Sequence, residues 1–222
     1  MSKKVEIKMT RGNKTELFKE VPASEILENI RNGVPIKYDH VKIIGDINIS
    51  NLELPVNDGT YIVAPEIEIV SSIFEGLIRF SECEYKENLN LSNTIFNQST
   101  YFQGSKFKKN INFTSCDFRK STYFDKCKCC GRASFPNVNF GGLSLFDKSY
   151  FKKDASFNYA RFNEDVTFER SEFLENAEFS RSTFNEKAIF NGIKFKKGAN
   201  YRLCNFKGFT SFNSCFLKNT LT

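Results

Sequence analysis

From Ser72 to Leu217 a large apolar residue, nearly always Phe, recurs at alternating steps of five and six. One series runs Phe74, Tyr85, Phe96, Phe107, Phe118, Cys129, Phe140, Phe151, Phe162, Phe173, Phe184, Phe195, Phe206 and Leu217. The other runs Phe80, Leu91, Phe102, Phe113, Phe124, Phe135, Phe146, Phe157, Phe168, Phe179, Phe190, Tyr201 and Phe212. Each series has a period of eleven. Two residues before these positions stands a small or β-branched residue, such as Thr100, Ser105, Cys116, Ala133, Ala155, Val166, Ala177, Ser182 or Ala188. A globular core mixes Leu, Ile, Val and Phe, whereas reuse of one residue type at one position predicts stacked copies of a single coil, a tandem-repeat solenoid.

Before the repeat, Val5, Ile7 and Met9 alternate with polar residues and predict a short strand ended by Arg11-Gly12-Asn13. An amphipathic helix follows: Ser24 is the predicted N-cap, Ile26, Leu27 and Ile30 share a face, and Gly33 with Pro35 ends it. A solenoid must cover its first coil, whose edge would expose unpaired backbone groups, and this helix is the natural cap. Residues 1–40 are therefore read as a capping segment and 41–222 as the solenoid. Val41 with Ile43, Ile47 with Ile49 and Leu52 with Leu54 form early coils, and Pro55 to Thr60 break the register as a loop whose face the pattern leaves open.

Units such as Ala177-Glu178-Phe179, Ser182-Thr183-Phe184 and Ala188-Ile189-Phe190 resemble the pentapeptide-repeat family, whose motif is a small residue, any residue, then Phe or Leu, about every five positions. The opening from Ile26-Leu27 through Gly33 to Ile44-Gly45-Asp46-Ile47 is similar to the N-terminal segment of archaeal members. The resemblance covers roughly Val41 to Leu217 and implies an all-β, right-handed quadrilateral β-helix with the small residue and the Phe both pointing inward. The extra residue in every second unit departs from the family's commoner pattern. It puts a regular 20-residue coil in doubt.

Geometry suggests how the extra residue is absorbed. Alternating steps of five and six repeat coil after coil only with an even number of faces, and two faces leave too little room for inward Phe rings. Four faces make a 22-residue coil, so residues 22 apart stack at about 4.7–4.9 Å. The tract then makes six to seven coils, a rod on the order of 30 Å long. Pro136, directly after a Phe position, falls at a predicted corner where no ladder donor is needed.

Of the 222 residues, 40% are hydrophobic and 15% aromatic, enough for a substantial core. No stretch approaches the roughly 20 apolar residues that span a bilayer, and the charged, alternating N-terminus lacks the apolar run of a secretory signal. The expected location is the cytoplasm, with no membrane partner. Seven cysteines speak against a disulfide framework. Cys83, Cys116, Cys127, Cys204 and Cys215 take small-residue positions, Cys129 takes a Phe position, and Cys130 alone points outward, so seven free thiols are expected.

Candidate chemistry is sparse. His40 is the only histidine, which leaves the repeat without a Ser-His-Asp or Cys-His arrangement. Cys127-Lys128-Cys129-Cys130 lacks the two spaced pairs of a zinc site, and the register turns Cys127 and Cys129 inward. Glu164, Asp165, Glu169, Glu172, Glu175 and Glu178 fall at outward positions, as a solvated patch would. The reading is therefore a non-enzyme without cofactor, catalytic or metal site.

Charge is unevenly spread. The net value is +6, yet Lys106, Lys108, Lys109, Arg119, Lys120, Lys126, Lys128 and Arg132 crowd the early-middle coils. Folding at 22 residues places Lys86, Lys108, Lys109, Lys152, Lys153, Lys196 and Lys197 along one corner, a candidate basic ridge. Three functions follow for comparison. The first is a structural or protein-interaction scaffold with an unknown protein partner. The second is nucleic-acid or polyanion binding through the ridge, with Tyr101, Tyr123 and Tyr159 expected to face outward. The third is the gyrase-directed DNA mimicry of some family members, which a positively charged chain does not support. The last coil, with Phe209, Phe212, Phe216 and Leu217, shows no capping pattern and predicts end-to-end association into a homodimer.

Overall fold

A computed structural model describes residues 4–7 and 16–217. Its opening elements are β1 (Lys4–Ile7), β2 (Glu16–Pro22), α1 (Ala23–Arg31), β3 (Ile36–Asp39), β4 (Val41–Ile44) and β5 (Ile47–Asn48). From there the chain winds through short strands that stack into four sheets of ten, eight, nine and eight strands. In chain order the four faces are entered at Ile73–Phe74, Ile78–Arg79, Cys83–Tyr85 and Leu89–Asn90, after which the first face returns at Ile95–Phe96. All pairings between coils are parallel, and Phe96 lies against Phe118 while Ala133 lies against Ala155. The coil is 22 residues long. The structure is thus a four-faced β-solenoid, as the spacing predicts.

Two kinds of corner explain the alternating steps. Each five-residue step contains a tight turn whose third residue has positive φ, and these residues recur every eleven positions: Glu82, Asn93, Gly104, Ser115, Lys126, Asn137, Lys148 and so on to Ser214. In the turn from Phe102 to Ser105 the Ser105 N–H donates to the Phe102 carbonyl at 3.1 Å. Pro136 and Asn137 are the second and third residues of one such turn, where Pro presets φ and Asn tolerates the left-handed conformation. Each six-residue step instead takes a wider bend, such as Lys108-Lys109-Asn110 between Phe107 and Ile111. The extra residue sits in that bend.

Inside, the Phe positions form columns. On the first face Phe74, Phe96, Phe118, Phe140, Phe162, Phe184 and Phe206 stack with centroids 4.6–5.5 Å apart. Columns meet edge to face, as where Phe146 stands at 85° to Phe157 with centroids 5.2 Å apart. Cys129 interrupts the third column between Phe107 and Phe151 and is buried among them.

The small positions bond differently at the two corners. After the tight turns, hydroxyls and thiols donate to a carbonyl of the coil before: Ser105 to Phe80 at 2.8 Å, Cys127 to Phe102 at 3.1 Å, Ser149 to Phe124 at 2.6 Å and Ser182 to Phe157 at 2.6 Å, while Val138, Ala160 and Ile193 fill the same place without a donor. After the wide bends stand Ala133, Ala155, Ala177 and Ala188, buried without a polar group, and Thr122, Ser144 and Thr210, whose hydroxyls donate to carbonyls of their own coil. All five cysteines read as small-position filler fall after tight turns, and four donate in this way: Cys116 to Leu91, Cys127 to Phe102, Cys204 to Phe179 and Cys215 to Phe190. Cys83 donates to Ser81 of its own coil. They are hydrogen-bond donors as well as filler.

The start of the chain is more strand-rich than its pattern predicts. β1 pairs antiparallel with β2, and β2 pairs in parallel with β4, extending the first-face sheet. β3 joins the fourth-face sheet, so strands of the solenoid begin before Val41. Met9 and the Arg11-Gly12-Asn13 turn lie outside the described residues. The N-cap of α1 is Pro22 rather than Ser24, because β2 stays paired through Pro22 against Ile44 and the chain enters the helix directly from the sheet. Ile26 and Ile30 are buried as expected. The Val34 N–H reaches the Asn29 carbonyl and Gly33, at φ 67°, reaches Ile30, which together make a Schellman cap. The loop at residues 55–60 belongs to the corner between the second and third faces. Its insertion lengthens the first coil to 31 residues, as the Val41 hydrogen bond to Ser72 records, and a hairpin from Val56–Asn57 to Thr60–Val63 fills it.

Candidate functional site

The wide bend that follows the third face collects the predicted ridge. Lys86, Lys108, Lys109, Lys152, Lys153, Lys196 and Lys197 all occupy it, and all but the half-buried Lys86 are exposed. The ridge is not uniform, because Cys130-Gly131 and Leu174-Glu175 occupy the same bend in the intervening coils. Its two ends are also neutralised. Glu84, an outward residue of Cys83–Tyr85 that is only 6% exposed, contacts Lys86, Lys106 at 3.0 Å and Lys108 at 3.6 Å. At the other end Lys196 lies 3.4 Å from Glu172, and Lys197 pairs with Glu175. Among the described residues Lys109, Lys152 and Lys153 have no carboxylate in an ion pair. The free cationic stretch is therefore the middle of the ridge.

Glu84 was not among the residues singled out from the sequence. Folding at 22 residues places it directly beneath Lys106 on the third face, and that stacking was the available signal. The hydrogen bond from Lys86, followed by that from Lys106, holds its carboxyl down at about 2. Lys106 is raised, first by its bond to Glu84, and Lys108 is lowered, first by Lys106 beside it. Because the folded value of Glu84 lies below the ordinary carboxylate value of about 4.3, its contribution is present above that pH and is lost as pH falls toward 2. Glu84→Gln should cost about 1 kcal/mol at neutral pH, since the lysines stay hydrated. Denaturant midpoints measured down an acid series should converge for wild type and variant. A difference that persists at the acid end would exclude this role.

Next to the free lysines, the third face carries Lys128, whose ammonium lies 5.5 Å from the Tyr150 ring centroid. Beyond it the chain passes Cys130, Gly131 and Arg132. There a groove of about 490 Å³ opens, lined by Asn110, Cys130, Gly131, Arg132, Lys153, Asp154 and Glu175. Gly131 lies in it between the positions of Lys109 and Lys153, and a Cβ there would collide with the Lys109 carbonyl.

Cys130 is half-exposed at this groove, while Cys83, Cys116, Cys127 and Cys129 are buried. Burial pushes the Cys83 thiol up to about 12 and drives Cys116, Cys127 and Cys129 up strongly; Cys204 and Cys215 are raised by burial too. All seven are free thiols. Mass spectrometry of the native protein under limiting maleimide should show Cys130 modified first. Earlier labelling of Cys127 or Cys129 would contradict the inward register.

The three tyrosines expected to face outward do so in different settings. Tyr101 and Tyr123 are half-buried on the second face and stack on each other at 4.7 Å, with Arg79 over Tyr101. Tyr159 is 52% exposed, with Arg181 over its ring. Each has a ring face occupied by a neighbour in the chain, which reduces the surface left for base stacking.

His40 adopts φ 54°, pairs with Asp39 at 2.8 Å and stacks against Phe18. Among the described residues no group of three or more His, Cys, Asp or Glu could hold a metal ion, and no helix is long and apolar enough to cross a membrane. The acidic residues of the later coils are spent on local bonds: Glu172 and Glu175 on lysines, Glu178 on Asn200 at 2.9 Å, and Asp165 on the Lys187 N–H at 3.1 Å. At the C-terminal coil Phe209, Phe212, Phe216 and Leu217 are all exposed, and Leu203 joins them.

The family model for pentapeptide repeats, in a nine-copy form, matches residues 102–145 and 146–193. No curated protein and no solved structure matches the chain. The matched residues are the most regular coils and include Lys109, Gly131, Lys152 and Lys153.

Proposed function

We propose that this solenoid, of the archaeal pentapeptide-repeat type that its opening segment resembles, is a non-catalytic cytoplasmic scaffold that binds an acidic protein partner along its basic corner. The observation that carries the reading is the exposed, ion-pair-free set Lys109, Lys152 and Lys153 on a rigid column of bends. A scaffold held by stacked rings and backbone ladders roots such charges at fixed spacing, so the backbone needs no ordering when a partner binds and only the lysine side chains are immobilised. The nucleic-acid reading is weaker, since the ridge ends are neutralised by Glu84, Glu172 and Glu175. The test is capture from native cell extract with the wild type and with a Lys109→Glu, Lys152→Glu, Lys153→Glu variant. The expected result is a protein retained after nuclease treatment, released by salt and lost with the variant. Capture abolished by nuclease would replace the reading with nucleic-acid binding, and capture unchanged in the variant would remove the corner from it.

A second copy of the chain is the partner proposed for the C-terminal coil, on the separate observation that Phe209, Phe212, Phe216 and Leu217 are exposed together. Light scattering should give a dimer that dissociates in a Phe212→Ser, Phe216→Ser variant. A monomer at high concentration removes this partner.

A further inference from the structure

We propose that the groove at Gly131 is a binding site for a phosphomonoester group. The inference deepens the scaffold reading, because it concerns the middle of the same corner. Lys109, Gly131 and Lys153 occupy equivalent places in three successive coils, so the two lysines flank the glycine one coil spacing away on either side, about 10 Å apart. Lysine side chains rooted at that separation can both reach a group seated over Gly131. Arg132 lines the groove from the glycine's own coil, and Lys153 lines it from the next.

Two carboxylates also line the groove, and both are committed. Glu175 pairs with Lys197, and the Asp154 carboxylate accepts the Asn176 N–H at 3.3 Å and its side-chain amide at 3.1 Å. An anion there meets Arg132 and Lys153 in the lining, with Lys109 rooted one coil before Gly131 and Lys152 next to Lys153 in the chain, against Asp154 as the one lining carboxylate without a cation partner. The free stretch is short, because Lys86 and Lys108 belong to Glu84 at one end and Lys196 and Lys197 to Glu172 and Glu175 at the other. A duplex carries a charge every ~1.7 Å of axis and gains from long runs of cations, so a window of about 10 Å favours one compact, multiply charged group. A phosphomonoester carries about two negative charges and three acceptor oxygens, which suits several donors converging from different coils.

Cys130 supplies the readout, followed by site-resolved mass spectrometry, since it is the thiol that lines the groove; Cys83, Cys116, Cys127 and Cys129 are buried, and the half-exposed Cys204 and Cys215 lie outside the groove lining. Its maleimide labelling rate is measured in chloride, in inorganic phosphate at matched ionic strength, and with a phosphoserine peptide beside its unphosphorylated twin. The expected result is severalfold slower labelling with phosphate or phosphopeptide, no protection by the unphosphorylated peptide, and protection lost in an Arg132→Glu, Lys153→Glu variant whose circular dichroism matches the wild type, with each rate taken relative to that protein's own unliganded rate because the reversed charges change thiolate formation at Cys130. Stronger protection by the phosphopeptide assigns the group to a phosphorylated protein, and protection by inorganic phosphate alone assigns it to a small phosphate ester. Equal labelling in phosphate and chloride with no effect of the phosphopeptide, or protection that survives in the variant, overturns the proposal. Gly131 is left unsubstituted because a Cβ there meets backbone. Failure here leaves capture of a protein partner by the corner standing, because that experiment uses no phosphate.

Discussion

Truncating Phe179 to Ala is expected to lower folding stability by about 3–5 kcal/mol. The ring is fully buried, lies 5.0 Å from Phe157 below and 4.8 Å from Tyr201 above, and meets Phe168 and Phe190 edge to face. Its loss opens a cavity in three adjacent coils, which ladders of hydrogen bonds hold too rigidly to collapse. Two neighbours calibrate the result. Ala177→Leu overpacks a buried position and should cost about 1–3 kcal/mol. Glu178→Gln, on the outer surface, should stay within about 0.5 kcal/mol. Denaturant midpoints at constant slope report the differences, and equal destabilisation by all three would contradict the assignment of inner and outer positions.

Replacing Ser149 by Ala should cost about 1–3 kcal/mol although it removes one oxygen. The hydroxyl donates to the Phe124 carbonyl at 2.6 Å and accepts the Cys127 N–H at 3.1 Å, so its loss weakens the tie between two coils at a buried corner. Ser149→Cys should recover part of the stability, because Cys127 donates to Phe102 at 3.1 Å from the equivalent place. Ser149→Ala as stable as the wild type in chemical denaturation would show that size alone governs that position.

The contrast between Ser149 and Ala177 also marks where the sequence was legible. The Phe series disclosed the period, the four faces and the inward register, because stacking forces one residue type to recur at one place. Which small positions tie one coil to the next stayed hidden, since Ser, Cys and Ala are alike in size and only the structure shows which hydroxyls and thiols reach the coil before and which bond within their own. Pro136 was placed at a corner from its missing N–H; its role with Asn137 in a tight turn needed the positive φ of Asn137. β2 escaped notice because buried Phe18 and Val21 are not at an alternating spacing. The insertion before Tyr61 could not be assigned to a face because one irregular coil carries no periodicity.

For the surface, the spacing brought the seven lysines to one corner, and the structure narrowed them to three. The narrowing came from Glu84, whose partners in the next coil are Lys106 and Lys108, and from Glu172 and Glu175, which pair with Lys196 and Lys197. A linear count of charge misses such an ion pair, because it joins residues one coil apart. Gly131 occupies the same bend as Lys109 and Lys153 in the coils on either side of it.

The scaffold reading is tested most directly by measuring the affinity of the captured partner for two charge-reversed proteins. One carries Lys109→Glu, Lys152→Glu and Lys153→Glu; the other carries Lys86→Glu, Lys108→Glu and Lys196→Glu. The account predicts that the first variant loses binding and the salt dependence that accompanies it, while the second keeps most of its affinity because its lysines already serve Glu84 and Glu172 in the wild type. Equal losses in the two variants, or none in either, would contradict it.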